Sequence, residues 1–519
     1  MRAKLPAART LVRLPERVHP MALKTWQVTT GAAVLGLVIA AGAVSAAGPW
    51  DSTGQRTAER DWAAGQRPGG GADHGARGGD DKPGPAPSAP EVLAALGAPA
   101  AGGPARSGSP QGSSSGGAAG AVPTAHGLGA LLDPLLADAS LGRSRTAAVV
   151  DVATGRQVYG RDAGKALTPA STTKLATAVA ALSALGDEHR IETRAVLEDG
   201  DGHGTPRVVL VGGGDPTLTA RSAAGPQASL EKLATATAHA LADRHIGHVT
   251  LAYDDSLYAG PRLHPIGPNE NLAPITALTA DEGRLDHSTS GPAPRSTDPS
   301  GDAAAAFAGF LKDHGVGVQG KPGSGKAARH AERLAAVSSP PLSSLVERML
   351  TNSDNDIAEA LARQTALAAH RRADFAGGAQ AIRARLAGLG LPMSGARFAD
   401  GSGLNRADRL TADLLTALLA KAGDPGRPEL RPVLTGLPVA GFTGTLEHRY
   451  GAAADRPATG LVRAKTGTLT GVNTLAGTVV DHDGRLLAFA FMTSDSPSAP
   501  ATQAGLDHLA TALTQCGCS

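Results

Sequence analysis

The sequence predicts an α+β fold, in which an antiparallel sheet is covered by helices on both faces and a module is inserted between the two stretches of chain that build the sheet. Three observations carry this reading. A β-branched run at 146–152, closed by Thr154-Gly155 and answered by 156–159, reads as a hairpin. Runs at 461–468, 472–480 and 485–492, the last two joined by Asp483-Gly484, read as consecutive antiparallel strands. Between these two regions, about 180 residues separate Ser171 from Ser353, far more than a helical hairpin needs.

Taken in order, the chain opens with a basic segment, 1–27, carrying Arg2, Lys4, Arg9, Arg13, Arg17 and Lys24 against the single acid Glu16. The apolar run 28–47 is long enough to cross a bilayer with the basic flank left in the cytoplasm, so it reads as a membrane anchor. Val44-Ser45-Ala46 offers the small-x-small pattern of a signal peptidase site, which leaves a cleaved signal as the alternative. Residues 48–124 are Gly, Ala, Pro and Ser with scattered charges of both signs; such a segment cannot bury a core and reads as a disordered linker. A flexible chain of that length spans about 45–50 Å, enough for a tether through a cell wall.

Ordered sequence resumes with a helix at 128–132 and the hairpin. Pro169 allows a helix to start near Ala170, and Leu175, Val179, Leu182 and Leu185 continue it at helical spacing. Short strands at 194–197 and 207–211, the turn Gly212-Gly213-Gly214-Asp215-Pro216, a helix at 230–242 and loops rich in Pro and Gly then mark a separate module. Helical periodicity returns at Pro341 with Leu342, Leu345 and Met349, and again with Ile357, Ala360, Leu361 and Ala368; Leu506, Leu509 and Leu513 close the chain. The first and last helices are expected to cover one face of the sheet and the helix after Ser171 the other. On this basis 125–188 and 338–519 form the catalytic domain and 189–337 the inserted domain or domains.

Ser171 and Lys174, three residues apart at a helix start, share one face, so the lysine can reach the hydroxyl. A serine is a weak nucleophile at pH 7 and needs an adjacent base; a lysine serves once burial or a second cation has lowered its pKa. Ser-x-x-Lys alone is a weak signal, and Ser229-Leu230-Glu231-Lys232 repeats it in what reads as an ordinary capped helix. What distinguishes Ser171 is the later, single occurrence of Ser353-Asp354-Asn355 and then of Lys465-Thr466-Gly467-Thr468, in the order found in penicillin-recognising serine enzymes. Ser353-Asp354-Asn355 falls in a break between two helices, where a loop can aim side chains into a cleft. On a strand, Lys465 and Gly467 face one way and Thr466 and Thr468 the other. Gly467 is expected to let a substrate backbone lie against the strand edge. Asp400-Gly401-Ser402-Gly403-Leu404 reads as a structural glycine-rich turn.

Composition excludes several other classes. With 49 basic against 47 acidic residues and only 3% aromatics, the chain has neither the basic footprint nor the stacking platform of a nucleic-acid binder. Gly320-Lys321-Pro322-Gly323-Ser324-Gly325-Lys326 approaches a phosphate-binding loop, but Ala327 stands where Ser or Thr must hold magnesium and Pro322 removes an N–H from the cradle, so no nucleotide is expected. No His, Cys and carboxylate cluster has the spacing of a metal site, and no metal or cofactor is expected. Cys516 and Cys518 are the only cysteines; a bridge between them would close a small strained ring, and no catalytic role is assigned to them.

The three motifs, together with Leu210-Val211-Gly212-Gly213-Gly214-Asp215-Pro216-Thr217-Leu218 and Asn271-Leu272-Ala273-Pro274-Ile275-Thr276-Ala277-Leu278, resemble the penicillin-binding D-alanyl-D-alanine carboxypeptidase/endopeptidases of the low-molecular-mass class C, penicillin-binding protein 4 type. The resemblance runs from about Leu128 to Leu513 and implies a β-lactamase/transpeptidase-like core. In the mechanism it implies, Ser171 attacks the peptide carbonyl between two D-alanines, Lys174 takes the proton and Ser353 relays it to the leaving amine, while Asn355 and Lys465 complete the cleft. The backbone N–H groups of Ser171 and Thr468 form the oxyanion hole, and Lys465, Thr466, Gly467 and Thr468 bind substrate, the lysine supplying positive charge for the terminal carboxylate. Water then hydrolyses the acyl-enzyme. The expected partners are peptidoglycan stem peptides, β-lactam antibiotics and, through the N-terminal segment, the membrane. The expected location is the extracytoplasmic face of the cell membrane, held by the anchor, or the cell wall after secretion. A secreted β-lactamase or esterase, and an inactive wall-binding module, are the alternatives.

Overall fold

Alternation along two strands explains how the central sheet is covered. The structure, a computed structural model, describes residues 122–200, 204–222 and 225–518, all within the compact unit Gly112–Ser519. Its first sheet holds β1 (Ser144–Asp151), β2 (Gln157–Arg161), β8 (Arg463–Leu469), β9 (Val472–Val480) and β10 (Leu486–Ser494) in the order β2-β1-β10-β9-β8, every pair antiparallel. The hairpin near residue 150 therefore zips onto the last strand of the chain, Val149 opposite Phe489. Successive side chains of a strand point to opposite faces. Accordingly Leu487, Phe489 and Phe491 pack with Leu128 and Leu132 of α1 (Ala125–Leu136) on one face, together with Leu506, Leu509 and Leu513 of the last helix, Ala499–Thr514.

Ala148, Ala476, Ala488 and Ala490 lie on the opposite face. These small side chains let a helix approach closely, and the helix that does so is Ala412–Ala422, which packs on β1 and β10. The helix after Ser171, α2 (Thr173–Leu185), does not itself cover the sheet as expected. It runs on the same side but within a layer of helices, touching Ala412–Ala422, Leu342–Asn352, Asn355–Ala368 and Phe375–Gly388. Every residue from Thr173 to Leu182 is buried, because Ala176, Ala178, Ala180 and Ala181 leave room for neighbours on all sides. A helix apolar all round belongs in a core.

The second sheet lies wholly within 192–338. Its strands are β3 (Glu192–Glu198), β4 (Arg207–Val211), β5 (His248–Asp254), β6 (Gly317–Ser324) and β7 (Glu332–Ser338), ordered β6-β5-β4-β3-β7. β4, β5 and β6 are parallel neighbours joined by the helices Leu230–Ala242 and Pro299–Asp313, which pack Leu233, Leu241, Phe307 and Leu311 on one face. Parallel neighbours need such helical crossovers. The stretch Gly320–Lys326, set aside above as a phosphate-binding loop, is mostly the edge strand β6, and an edge is where a strand tolerates Pro322.

Residues 1–47 lie outside the described residues; among those described, no helix is long and apolar enough to cross a membrane. Of the expected linker, residues 48–121 also lie outside the described residues; at its end the Thr124 hydroxyl accepts from the Gly127 N–H and caps α1, and the Thr124 N–H donates to Cys518 O at 2.8 Å. Cys516 and Cys518 are joined in a disulfide, with Cα atoms 5.0 Å apart.

Candidate active site

The nucleophile sits in a single 3₁₀ turn, Ala170–Thr172, one step before α2 rather than inside it. Ala170 takes the left-handed conformation, φ +48°, which is unfavourable for a residue with a Cβ and is held only by its surroundings. The surroundings are tight. Thr474 of β9 donates to Pro169 O at 2.9 Å, and Thr172 donates to the same carbonyl at 2.7 Å. On β8, a Cβ at Gly467 would stand 2.7 Å from Pro169 O and 3.1 Å from Ser171 N. Gly467 thus makes room for the nucleophile's own turn, not for a substrate backbone as its strand position suggested. Gly403, φ +83°, plays the same part on the other side, where a Cβ would collide with Ala170 O.

Lys174 is fully buried, and three acceptors surround its ammonium: Ser171 Oγ at 3.2 Å, Asn355 Oδ1 at 2.7 Å and Ser402 O at 2.8 Å. Burial pushes its pKa down to about 8, although the carboxylates of Asp400, Asp354, Glu359 and Asp356 favour the charged form. Lys465 is equally buried; its Nζ lies 2.9 Å from Ser353 Oγ and 2.7 Å from Thr466 O. Burial first, and the nearby Lys174 second, hold Lys465 well below the usual lysine range. Burial lowers both lysines; the Lys174 charge adds to the lowering at Lys465, while the acidic cluster opposes it at Lys174.

Ser353 ends the helix Leu342–Asn352 in the left-handed conformation, φ +58°, and Asp354 starts Asn355–Ala368 by accepting from the Ile357 N–H. This helix-to-helix break turns Ser353 toward Lys465 and Asn355 toward Lys174. The Asn355 Nδ2 donates to Asn271 O at 3.0 Å, so the inserted stretch of chain reaches the site. On β8, Lys465 and Gly467 are buried while Thr466 and Thr468 are not. The Ala464 N–H bonds to Pro438 O, on the side of β8 away from β9. By the two-residue alternation, the N–H groups of Thr466 and Thr468 face that same open edge. Ser171, Ser353, Thr466 and Thr468 together line a cavity of about 280 Å³.

Several contributors escaped the sequence reading. The loop Asp400–Leu404, read as a plain turn, supplies the Ser402 carbonyl to Lys174. It is fixed by Glu359, which accepts from the Gly401 and Ser402 N–H groups at 3.0 and 2.9 Å, and by Asp400, which pairs with His264 at 2.9 Å and accepts from Gly403 N–H. Thr445 bonds Thr466 at 2.8 Å, and Arg449 and Gln503 complete the cavity wall. A backbone carbonyl has no residue-type signature, and these side chains follow no motif; the acidic residue and two glycines of Asp400-Gly401-Ser402-Gly403 were the available signal. Ser229, by contrast, is the helix cap expected, accepting from Lys232 N–H at 3.2 Å.

Two carboxylate-rich groups, His264 with Glu359 and Asp400, and Glu282 with Asp354 and Asp356, have potential ligand atoms within 4.8 Å of one another. Both already have partners: the first as above, the second Arg284 and Arg348 on Glu282 and Arg295 on Asp356. Their chemistry is that of buried ion pairs around the cleft.

Comparison with known proteins places this arrangement. The model of the D-Ala-D-Ala carboxypeptidase 3 (S13) family matches residues 128–294 and 286–513. A carboxypeptidase of Mycobacterium tuberculosis is 36% identical over 411 residues, covering 77% of this chain and 86% of that protein. A D-alanyl-D-alanine carboxypeptidase of an Actinomadura species is 30% identical over 458 residues, covering 74% and 84%. In fold, the chain is similar to the crystal structure of penicillin binding protein 4 from Haemophilus influenzae, with TM-score 0.60 at 22% identity over 73% of this chain and 97% of that one; a structure of the same protein holds a β-lactam.

Proposed function

The chain belongs to the D-Ala-D-Ala carboxypeptidase 3 (S13) family, and from that membership we propose that it hydrolyses the D-alanyl-D-alanine bond of peptidoglycan stem peptides through an acyl-enzyme on Ser171. The observation that carries the roles is the pairing of two buried lysines with two serines in one cleft, Lys174 with Ser171 and Lys465 with Ser353. Neutral Lys174 accepts the Ser171 proton as Oγ attacks the carbonyl carbon. Charge that gathers on the carbonyl oxygen is met by the N–H groups of Ser171 and Thr468; by analogy with other serine hydrolases one such donor contributes about 2.7–4 kcal/mol. The proton passes through Ser353 and Lys465 to the departing D-alanine amine. Water then attacks the ester and returns the enzyme. A β-lactam offers its strained amide to the same serine.

Family membership and the complete set of side chains do not favour the β-lactamase or esterase and inactive-module readings. The expected result is release of D-alanine from purified wall peptides, detected by mass spectrometry as loss of one alanine from the pentapeptide stem. Intact pentapeptides after prolonged incubation contradict the proposal.

Residues 28–47 beside six basic residues support a further proposal, that the enzyme is held at the outer face of the membrane and reaches the wall through residues 48–121. Intact mass of the cell-associated protein should include residues 28–47. A mature N-terminus at Ala47 in the medium means that the run is a cleaved signal.

A further inference from the structure

We propose that Arg449 reads the free carboxylate of the terminal D-alanine, the group beside the departing amine; this rests on the peptidase reading above. Sequence reasoning gave that charge to Lys465. The geometry removes Lys465 from the task, because its Nζ is buried on the inward side of β8 against Ser353 Oγ and Thr466 O. What β8 presents to the cleft are two neutral hydroxyls, Thr466 and Thr468. A carboxylate that loses its water needs a charged donor nearby, and charge-assisted hydrogen bonds are about twice as strong as neutral ones.

Arg449 is the cation among the residues lining the cavity that Thr466 and Thr468 share with Ser171. Arg284 and Arg295 border the cleft as well, but on the Asn355 side and away from Thr466. Arg449 follows the short turn Gly444–Leu446, and the last helix braces it: Nε and Nη2 donate to the two oxygens of Asp507 at 3.0 and 2.7 Å, and Nη2 also donates to Gln503 O at 3.0 Å. That leaves Nη1 without a hydrogen bond among the described residues. The side chain of Gln503, whose carbonyl takes part in the brace, reaches Thr468 Oγ1 at 3.4 Å, so the brace and the threonine are parts of one wall. An arginine held along one edge has little conformational freedom left to lose on binding. Asp507 offsets the charge at long range, so the selectivity comes from contact at Nη1. A C-terminal amide in this position brings no negative charge to it.

The test compares kcat/KM of wild type, Arg449→Gln and Arg449→Lys on an acyl-D-Ala-D-Ala peptide as the free acid and as its C-terminal amide. Wild type should favour the acid. Arg449→Gln should lose on the order of ten- to a hundredfold on the acid, and leave the amide within about a factor of three. Arg449→Lys, which keeps a cation for Asp507, should recover part of the acid rate; it also decides the question if Arg449→Gln does not fold. Equal losses on acid and amide in the folded variants overturn the assignment and make Arg449 a brace only. A wild type inactive on both substrates, by contrast, counts against the peptidase reading itself.

Discussion

Ser171→Ala is expected to abolish covalent labelling by a fluorescent penicillin and to lower peptide hydrolysis by on the order of 10⁶ in kcat, the scale on which serine peptidases lose rate when the nucleophile is removed. Ser229→Ala should label like wild type. The contrast is sharp because both serines sit three residues before a lysine, yet only one lysine is within reach of its serine's hydroxyl. Lys174 Nζ is 3.2 Å from Ser171 Oγ inside the core, whereas Ser229 Oγ accepts the backbone N–H of Lys232 and the Lys232 side chain is exposed. Removing the Ser229 cap should cost about 0.5–2 kcal/mol of stability and no chemistry. Gel fluorescence after brief exposure reads the first effect and thermal melting the second. Undiminished labelling of Ser171→Ala would defeat the assignment.

Lys174→Met should slow acylation by about 10²–10⁴-fold, the usual contribution of a positioned general base. Deacylation, if Lys174 serves both steps, should slow with it. The variant also strips a donor from the buried Ser402 carbonyl, so some loss of stability, about 1–3 kcal/mol, accompanies the loss of rate. The pH dependence separates the two effects. A lysine acts as base only without its proton, and the folded-state pKa of Lys174 is lowered to about 8; the wild-type kcat/KM should therefore rise with pH through about 8 and level above it. In Lys174→Met that rise should vanish whatever the stability. A wild-type profile that falls between pH 7 and 9 would contradict the role of Lys174 as base.

Much of this site was legible because its chemistry is carried by residue types in a fixed order. Ser171 and Lys174, Ser353 and Asn355, and Lys465 are brought together as the motif order suggests, and the strands on either side of residue 470 and near residue 150 are those that their apolar runs and bounding turns indicate. What the sequence concealed follows from what sequence does not encode locally. The Ser402 carbonyl could belong to any residue type. Gly467 could be called a glycine that admits something, but whether substrate or Pro169 occupies the space depends on a turn 298 positions away. Arg449 lies in a loop without periodicity and matters only because Asp507, on the last helix, fixes it. Of the second sheet, β6 is a largely exposed edge strand containing Gly320, Pro322 and Gly323, so no alternation of apolar residues marks it. The charge balance at Lys174 depends on buried carboxylates from two separate segments, 354–359 and 400.

The central claim is that Ser171 carries the acyl group. It is tested most directly by trapping the wild-type protein with a penicillin, digesting it, and locating the added mass by tandem mass spectrometry. The account predicts one adduct per chain, on Ser171. An adduct on Ser353, Ser229 or any other residue, with Ser171 unmodified, would contradict it.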